Sequence, residues 1–110
     1  MVRRSKIADI EVGSGNVSAD LELPDAVELD TKVRLAVAIN RQLAHRRLTQ
    51  AAAAERLSIN QPKVSALKHY RLEGFSVERL MGFITALGSD IEIRIARPKR
   101  TPGQIRVEAA

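Results

Sequence analysis

Few side chains in this sequence could carry out catalysis or bind a metal. The two histidines, His45 and His69, each lie beside basic residues, which lowers their attraction for a cation, and there is no cysteine. No inward-facing pair of carboxylates is apparent for acid–base catalysis, and the serines are better explained as linker, turn and capping residues. We therefore expect no enzyme, no metal site and no cofactor.

The side chains of this sequence are better suited to hydrogen bonding and to binding negative charge than to catalysis. Amide, hydroxyl and cationic side chains are concentrated in the stretch from Leu48 to Arg71, "LTQAAAAERLSINQPKVSALKHYR". Residues 1–30 hold 3 Lys/Arg and 7 Asp/Glu, a net charge of −4, whereas residues 31–110 hold 15 against 6, a net charge of +9. A basic body of this kind favours a polyanionic partner, although dispersed surface charge on a soluble protein would give the same count.

The composition predicts one helical domain. Of the 110 residues, 45% are hydrophobic and 3% aromatic, so the core must be built from Ala, Val, Ile and Leu, which suits packed helices. No apolar stretch follows the basic residues at the start of the sequence, and none approaches the roughly 20 apolar residues of a membrane span. We expect a cytoplasmic protein that does not enter a membrane.

The longest predicted helix begins at Pro24-Asp25, where proline is tolerated and an acidic residue is favoured. The basic cluster His45-Arg46-Arg47 ends this helix, as the helix dipole prefers. The residues expected to face the core recur at steps of three and four, and they are Leu29, Val33, Ala36, Val37, Asn40, Leu43 and Ala44.

Two short helices follow, separated by only three residues. Thr49 can cap the first of them, which spans Gln50 to Leu57, and Asn60 can cap the second. Pro62 falls in the first turn of that second helix, where its missing N–H costs little. This helix is expected to reach about residue 69 or 70.

A fourth helix is predicted after Ser76, which can cap it, and it should end at Gly88 in the left-handed conformation. Its inward-facing residues are expected to be Val77, Leu80, Met81, Ile84 and Leu87.

The period then changes from helical to alternating. Asp90 to Arg97 ("DIEIRIAR") places isoleucines at every second position, which predicts a strand with one buried face formed by Ile91, Ile93 and Ile95. A single strand cannot satisfy its own backbone groups, so we expect it to pair with the same strand of a second copy across a two-fold axis. The alternatives are pairing within the chain, with Lys6–Val12 or with Ile105–Val107.

These patterns divide the sequence into three parts. Residues 1–23 form a flexible acidic segment, residues 24–97 a mainly α-helical domain that ends in the dimerisation strand 91–97, and residues 98–110 a flexible basic tail. The helical domain is therefore expected to contain the functional site.

The two short helices resemble the helix-turn-helix motif of the lambda-repressor/Cro-like (Xre) family. That motif expects Gln at its start, Ala at its fifth position and Val or Ile at its fifteenth, which are Gln50, Ala54 and Val64 here. It expects Gly at its ninth position, where this chain has Ser58, and the difference implies local strain or an adjusted turn. The resemblance implies a four- to five-helix, lambda-repressor-like DNA-binding domain.

In such a motif the second helix enters the major groove of double-stranded DNA with its N-terminal residues first. The resemblance thus places four residues at base edges: Gln61, Pro62, Lys63 and Ala66. It places six residues at phosphates: Thr49, Gln50, Asn60, Ser65, Lys68 and Arg71. Gln61 could form two bonds with adenine or one with guanine, and Lys63 could reach guanine O6 and N7 or a phosphate. For the lysines and the arginine, a solvated surface charge is the alternative.

The resemblance extends over residues 13–97, including "GSGNVSADLELPDA" and "FSVERLMGFITALGSDIEIRI", to HigA antitoxins, which are small dimeric repressors encoded beside a toxin. It implies a homodimer that binds an inverted-repeat operator, represses its own operon and neutralises an mRNA-cleaving toxin. The acidic N-terminal segment could fold on a basic toxin surface. The alternative is a protein-interaction module that mainly sequesters the toxin and binds DNA weakly.

Overall fold

The computed structural model describes residues 25–109. They form four α-helices: α1 (Asp25–His45), α2 (Gln50–Leu57), α3 (Gln61–Lys68) and α4 (Val77–Ala86). Residues 87–109 contain neither helix nor strand. The mainly helical prediction is confirmed, whereas the predicted acidic segment 1–23 lies outside the described residues.

Three of the helices begin at the side chains expected to cap them. Thr49 Oγ1 accepts a hydrogen bond of 3.1 Å from the N–H of Ala52, and Asn60 Oδ1 accepts one of 2.9 Å from the N–H of Lys63. Ser76 Oγ accepts a bond of 3.0 Å from the backbone of α4 in the same way. Caps of this kind each contribute about 1 kcal/mol to stability, which explains why the helix starts could be predicted locally.

All four helices end in the same kind of turn. A residue in the left-handed region follows each helix, namely Arg47 (φ 55°), Ser58 (φ 60°), Tyr70 (φ 60°) and Gly88 (φ 96°). The next residue then donates its N–H to the carbonyl five positions back, as in Leu48 to Leu43 (3.1 Å) and Ser89 to Ile84 (3.2 Å). These Schellman turns satisfy carbonyls that the helix leaves free. The left-handed Gly88 was predicted, and that prediction is confirmed.

A single cluster of mostly aliphatic side chains forms the core between the helices. Its fully buried members come from every helix and from the turn after α4, and they include Ala36, Ile39, Ala53, Val64, Leu67, Leu80 and Leu87. The two phenylalanines, Phe75 and Phe83, are also buried and meet edge to face, with 5.8 Å between their ring centroids. The core therefore joins the two short helices to α1 and α4.

The prediction for the inner face of α1 was partly wrong. The buried residues of this helix are Thr31, Leu35, Ala36, Ile39 and Leu43. Leu29, which was expected inside, is 56% exposed, and Ala44 is exposed as well. Residues 33–39 are apolar around most of the helix except at Arg34, so periodicity permits more than one inner face. Packing against α4 selects the side that carries Leu35 and Ile39.

The C-terminal end of α4 is held by side chains from two other helices. The guanidinium of Arg46, just beyond α1, donates to the carbonyl of Leu87, and Arg56 Nε of α2 donates to the carbonyl of Ala86 at 3.2 Å. Gln42 Nε2 lies 3.3 Å from the hydroxyl of Ser89. Cations at this end of a helix are favoured by its dipole. Arg46 therefore serves α4 and not only the end of α1, where the sequence had placed it.

The C-terminal stretch after α4 forms no strand among the described residues. Ile91 and Val107 pack against the core, whereas Ile93 is 77% and Ile95 91% exposed. The pairing with Ile105–Val107, considered as an alternative, does not form, and Lys6–Val12 lies outside the described residues. The dimerisation strand between two copies stays a prediction.

Candidate nucleic-acid interface

The turn between α2 and α3 depends on Ser58. This residue adopts φ 60° and ψ 43°, and its N–H donates to the carbonyl of Glu55 at 3.2 Å. The N–H of Ile59 donates to the carbonyl of Ala54 at 3.0 Å, which closes the turn. The backbone therefore has the left-handed geometry expected at this position, and a residue with a Cβ bears its steric cost.

The inner faces of α2 and α3 are fully used in packing. Ala54 is 7% exposed, and Val64 and Leu67 are inaccessible to solvent. Leu57 is buried as well, and Ile59 packs against the same cluster. A small side chain at Ala54 permits the two helix backbones to lie close together. The opposite face of α3 is consequently left outside the core.

The four residues predicted at base edges occupy the outer side of α3 to different extents. Gln61 and Pro62 are exposed in its first turn, and Ala66 is half-buried. Lys63 is also half-buried, because its side chain lies over the ring of Phe75, with Nζ 5.1 Å from the ring centroid. Gln61 is therefore free to reach a ligand, whereas Lys63 has a contact within the protein.

The six residues predicted at phosphates surround this face. Thr49 and Asn60 are exposed caps at the starts of α2 and α3, where backbone N–H groups attract anions. Gln50 is half-buried beside Thr49. The remaining three lie on or just after α3: Ser65 is half-buried, and Lys68 and Arg71 are exposed. The assignment of these six residues to phosphates stays a prediction.

Two shallow grooves border α3. One, of about 360 Å³, separates the helix from the loop after it and is lined by Pro62, Lys63, Ala66, Gly74 and Phe75, among others. The other, of about 300 Å³, lies between the ends of α1 and α3 and contains Arg47, Lys68 and Tyr70. Three of the four residues predicted at base edges line the first groove, which is therefore part of the candidate interface.

The loop between α3 and α4 contributes to this surface in a way that the sequence did not predict. The ammonium of Lys63 lies over the ring of Phe75. The guanidinium carbon of Arg79 lies 5.9 Å from the centroid of the same ring and 5.7 Å from the centroid of the Phe83 ring. The scarcity of aromatic residues, 3% of the chain, was a usable signal, because a phenylalanine close after the motif is unusual here. Its proximity to Lys63 depends on tertiary packing and could not be seen in the sequence.

The described residues offer no competing site of another kind. Within residues 25–109, no three or more His, Asp or Glu side chains come together in a way that could hold a metal ion. In the same range, no helix combines the length and the apolar character needed to cross a membrane.

Comparison with known proteins identifies the family. A family model described as a helix-turn-helix domain matches residues 17–96. The chain belongs to this helix-turn-helix family. A solved structure named as an XRE family transcriptional regulator is 57% identical, has a TM-score of 0.75, and is aligned over 79% of this chain and 100% of its own. The comparison with curated proteins finds no match.

These results confirm the resemblance to Xre-like helix-turn-helix proteins that the motif had indicated. They also agree with the expected lambda-repressor-like fold, since the matched region covers α1 to α4. Members of this helix-turn-helix family are not enzymes, which agrees with the absence of catalytic candidates in the sequence. The narrower likeness to HigA antitoxins is not addressed by either match and stays a prediction.

Proposed function

We propose that this helix-turn-helix protein is a sequence-specific DNA-binding repressor that acts in the cytoplasm. The observation that carries the proposal is the division of α3 into two faces. Val64 and Leu67 are buried, while Gln61 and Pro62 project from the first turn. The N-terminal end of a recognition helix is the part that approaches base edges in this motif.

The charge of the body supports DNA as the partner. Residues 31–110 carry 15 Lys/Arg against 6 Asp/Glu. Lys68 and Arg71 are exposed at the end of α3 and just after it, and each phosphate that such residues neutralise releases counterions. Positive charge provides affinity for any sequence, and the amide of Gln61 can add discrimination for adenine.

The decisive experiment measures binding to the protein's own promoter and to random DNA at several salt concentrations. Gln61→Ala and Lys63→Ala should each weaken operator binding by about 1–3 kcal/mol, because each removes a base contact, while leaving the fold intact. Gln104→Ala removes the same amide from an exposed position in the tail and should change nothing. An unchanged ratio of operator to random affinity in both α3 variants would refute the assignment.

The proposed repressor is a homodimer. Ile93 and Ile95 are exposed on a stretch that forms no strand among the described residues, and pairing with a second copy of the stretch would cover both side chains and bond both backbones. The two α3 helices would then lie about 34 Å apart, one turn of DNA, on an inverted repeat. Ile93→Lys should produce monomers in sedimentation, and Thr101→Lys, which adds the same charge in the tail, should not. An intact Ile93→Lys dimer would exclude this interface.

We also propose that the protein represses its own operon as the antitoxin of a toxin–antitoxin pair. The support is the similarity of residues 13–97 to HigA antitoxins and the net charge of −4 on residues 1–30, which suits a basic partner. A protein that mainly sequesters a toxin is the second candidate. Purifying the protein together with the product of the neighbouring gene tests whether it has a toxin partner. Co-elution supports the antitoxin role, and independent elution contradicts it. Promoter affinity then distinguishes repressor from sequestering protein.

A further inference from the structure

The loop between α3 and α4 holds the side chain of Lys63 in one place. Its ammonium nitrogen lies 5.1 Å from the centroid of the Phe75 ring, within the range of a cation–π contact. Lys63 is half-buried, although it occupies the outer side of α3. The stem of this lysine therefore follows the groove between α3 and the loop and does not extend freely into solvent.

The ring of Phe75 is fixed by its own packing. Its side chain is 2% exposed and meets the ring of Phe83 edge to face at 5.8 Å, and its N–H donates to the carbonyl of Leu72 at 3.0 Å. The guanidinium of Arg79 lies 5.9 Å from the same ring. A ring fixed in this way confines the cation above it.

Gly74 provides the room for the ammonium. A Cβ built on this residue would lie 3.0 Å from Lys63 Nζ, which is tighter than nine in ten such contacts in proteins, and apart from the chain neighbours of Gly74 no other described atom lies within 4 Å of that position. The φ of Gly74 is outside the left-handed region, so the backbone does not itself require glycine. A methyl group at position 74 would therefore push the ammonium aside by a few tenths of an ångström and leave the loop conformation accessible.

We propose that Phe75 and Gly74 are positioning residues that fix Lys63 for base discrimination, so that the loop as well as α3 determines the preferred operator sequence. This inference rests on the proposed DNA binding. Lysine has large rotamer freedom, and a lysine already held beside the base-contacting face loses less of it when it bonds to guanine O6 or N7. The same groove is lined by Pro62 and Ala66, which places the held ammonium at the candidate interface.

The test uses full-length Gly74→Ala and measures the ratio of operator to random-DNA affinity by fluorescence anisotropy at fixed salt. The ratio should fall by at most about two- to fivefold, which is the effect of losing a partly exposed cation–π contact completely, because the added Cβ crowds the ammonium. Gly82→Ala is the matched control, because Gly82 is exposed on α4 and a Cβ there would have no neighbour within 4 Å. Phe75→Leu, which keeps an apolar side chain but removes the ring, should lower the ratio in the same direction.

A double variant assigns the effect to Lys63. In a Lys63→Ala background, Gly74→Ala should leave the ratio unchanged, because the residue that it displaces is gone. An equal fall with and without Lys63 would overturn the proposal, as would an unchanged ratio in Gly74→Ala. A raised ratio would mean that the loop holds Lys63 away from DNA, and it would overturn the proposal too.

A measurement without DNA tests the contact itself. Proton NMR of the wild type should show the ε-methylene signals of Lys63 shifted upfield by the Phe75 ring, and Gly74→Ala should reduce this upfield shift. Normal shifts in the wild type would overturn the proposal whatever the DNA result. Upfield signals in a protein that does not prefer its operator would identify the proposed function as the part that failed.

Discussion

The C-terminal end of α4 and the outer side of α3 both carry cations, but the two regions use them differently. At the end of α4, Arg46 and Arg56 donate to the carbonyls of Leu87 and Ala86. Beside α3, the exposed side chains of Lys68 and Arg71 form no hydrogen bond or ion pair with another described residue. In the first region the guanidinium groups bond to carbonyls at the end of a helix, and in the second the charges are available to a partner.

This difference teaches that charge alone does not identify an interface. Arg46 and Arg71 are both exposed and would contribute equally to a count of basic residues. The bond to Leu87 separates them, because a guanidinium that neutralises a helix end is committed to the protein. The candidate interface is therefore better defined by cations that are not bonded to a helix end than by net charge.

The largest expected effect comes from a substitution at Ala54, in the packing between the two short helices. Ala54 lies 7% exposed where α2 meets α3, and Ala54→Leu would force additional methyl groups into a filled space. Unfolding in urea should show a loss of about 1–3 kcal/mol, the usual cost of overpacking. Because α3 would also be displaced, operator binding should weaken.

Ala51→Leu is the control for this change, since Ala51 is on the same helix but exposed. It should alter stability by less than about 0.5 kcal/mol, as surface substitutions usually do. Equal stability of the two leucine variants would contradict the close approach of α2 and α3 at Ala54.

A pair of arginine substitutions sharpens the comparison directly. Arg46→Ala should lower the free energy of unfolding by about 1–2 kcal/mol, because a carbonyl at the end of α4 loses a charged donor. Arg71→Ala should leave stability nearly unchanged but reduce the salt dependence of DNA binding by about 0.9 in the logarithmic slope, the share of one phosphate. Urea unfolding and salt titrations of both variants check this. Exchanged results would reverse the roles assigned to the two regions.

Local features of this fold could be predicted from the sequence. The caps at Thr49, Asn60 and Ser76 depend on bonds to residues only three positions away, and the structure contains all three. The spacing of Ala54 and Val64 indicated the helix-turn-helix because that motif is itself short.

Features that depend on distant residues could not be predicted. The inner face of α1 was partly misassigned, since its sequence is apolar around most of the helix and only packing against α4 selects Leu35 and Ile39. The contact between Lys63 and Phe75 joins residues 12 positions apart across a loop, and no periodicity encodes it. In the candidate site, helix ends and exposed positions were thus predictable, whereas the packing of Lys63 against the loop was not.

The smallest expected effect is at the turn that joins the packed side of the motif to its exposed side. Ser58 has φ 60°, so its Cβ is close to the backbone in a way that glycine avoids. Ser58→Gly should therefore raise the free energy of unfolding by about 0.5–1 kcal/mol, after the greater chain entropy of glycine is subtracted from the relieved strain. Ser58→Ala keeps the Cβ and should bring no gain. Because Ser58 precedes α3 without belonging to it, neither change should alter operator affinity. A stabilised Ser58→Gly variant with weakened binding would mean that the strain itself sets the angle of α3.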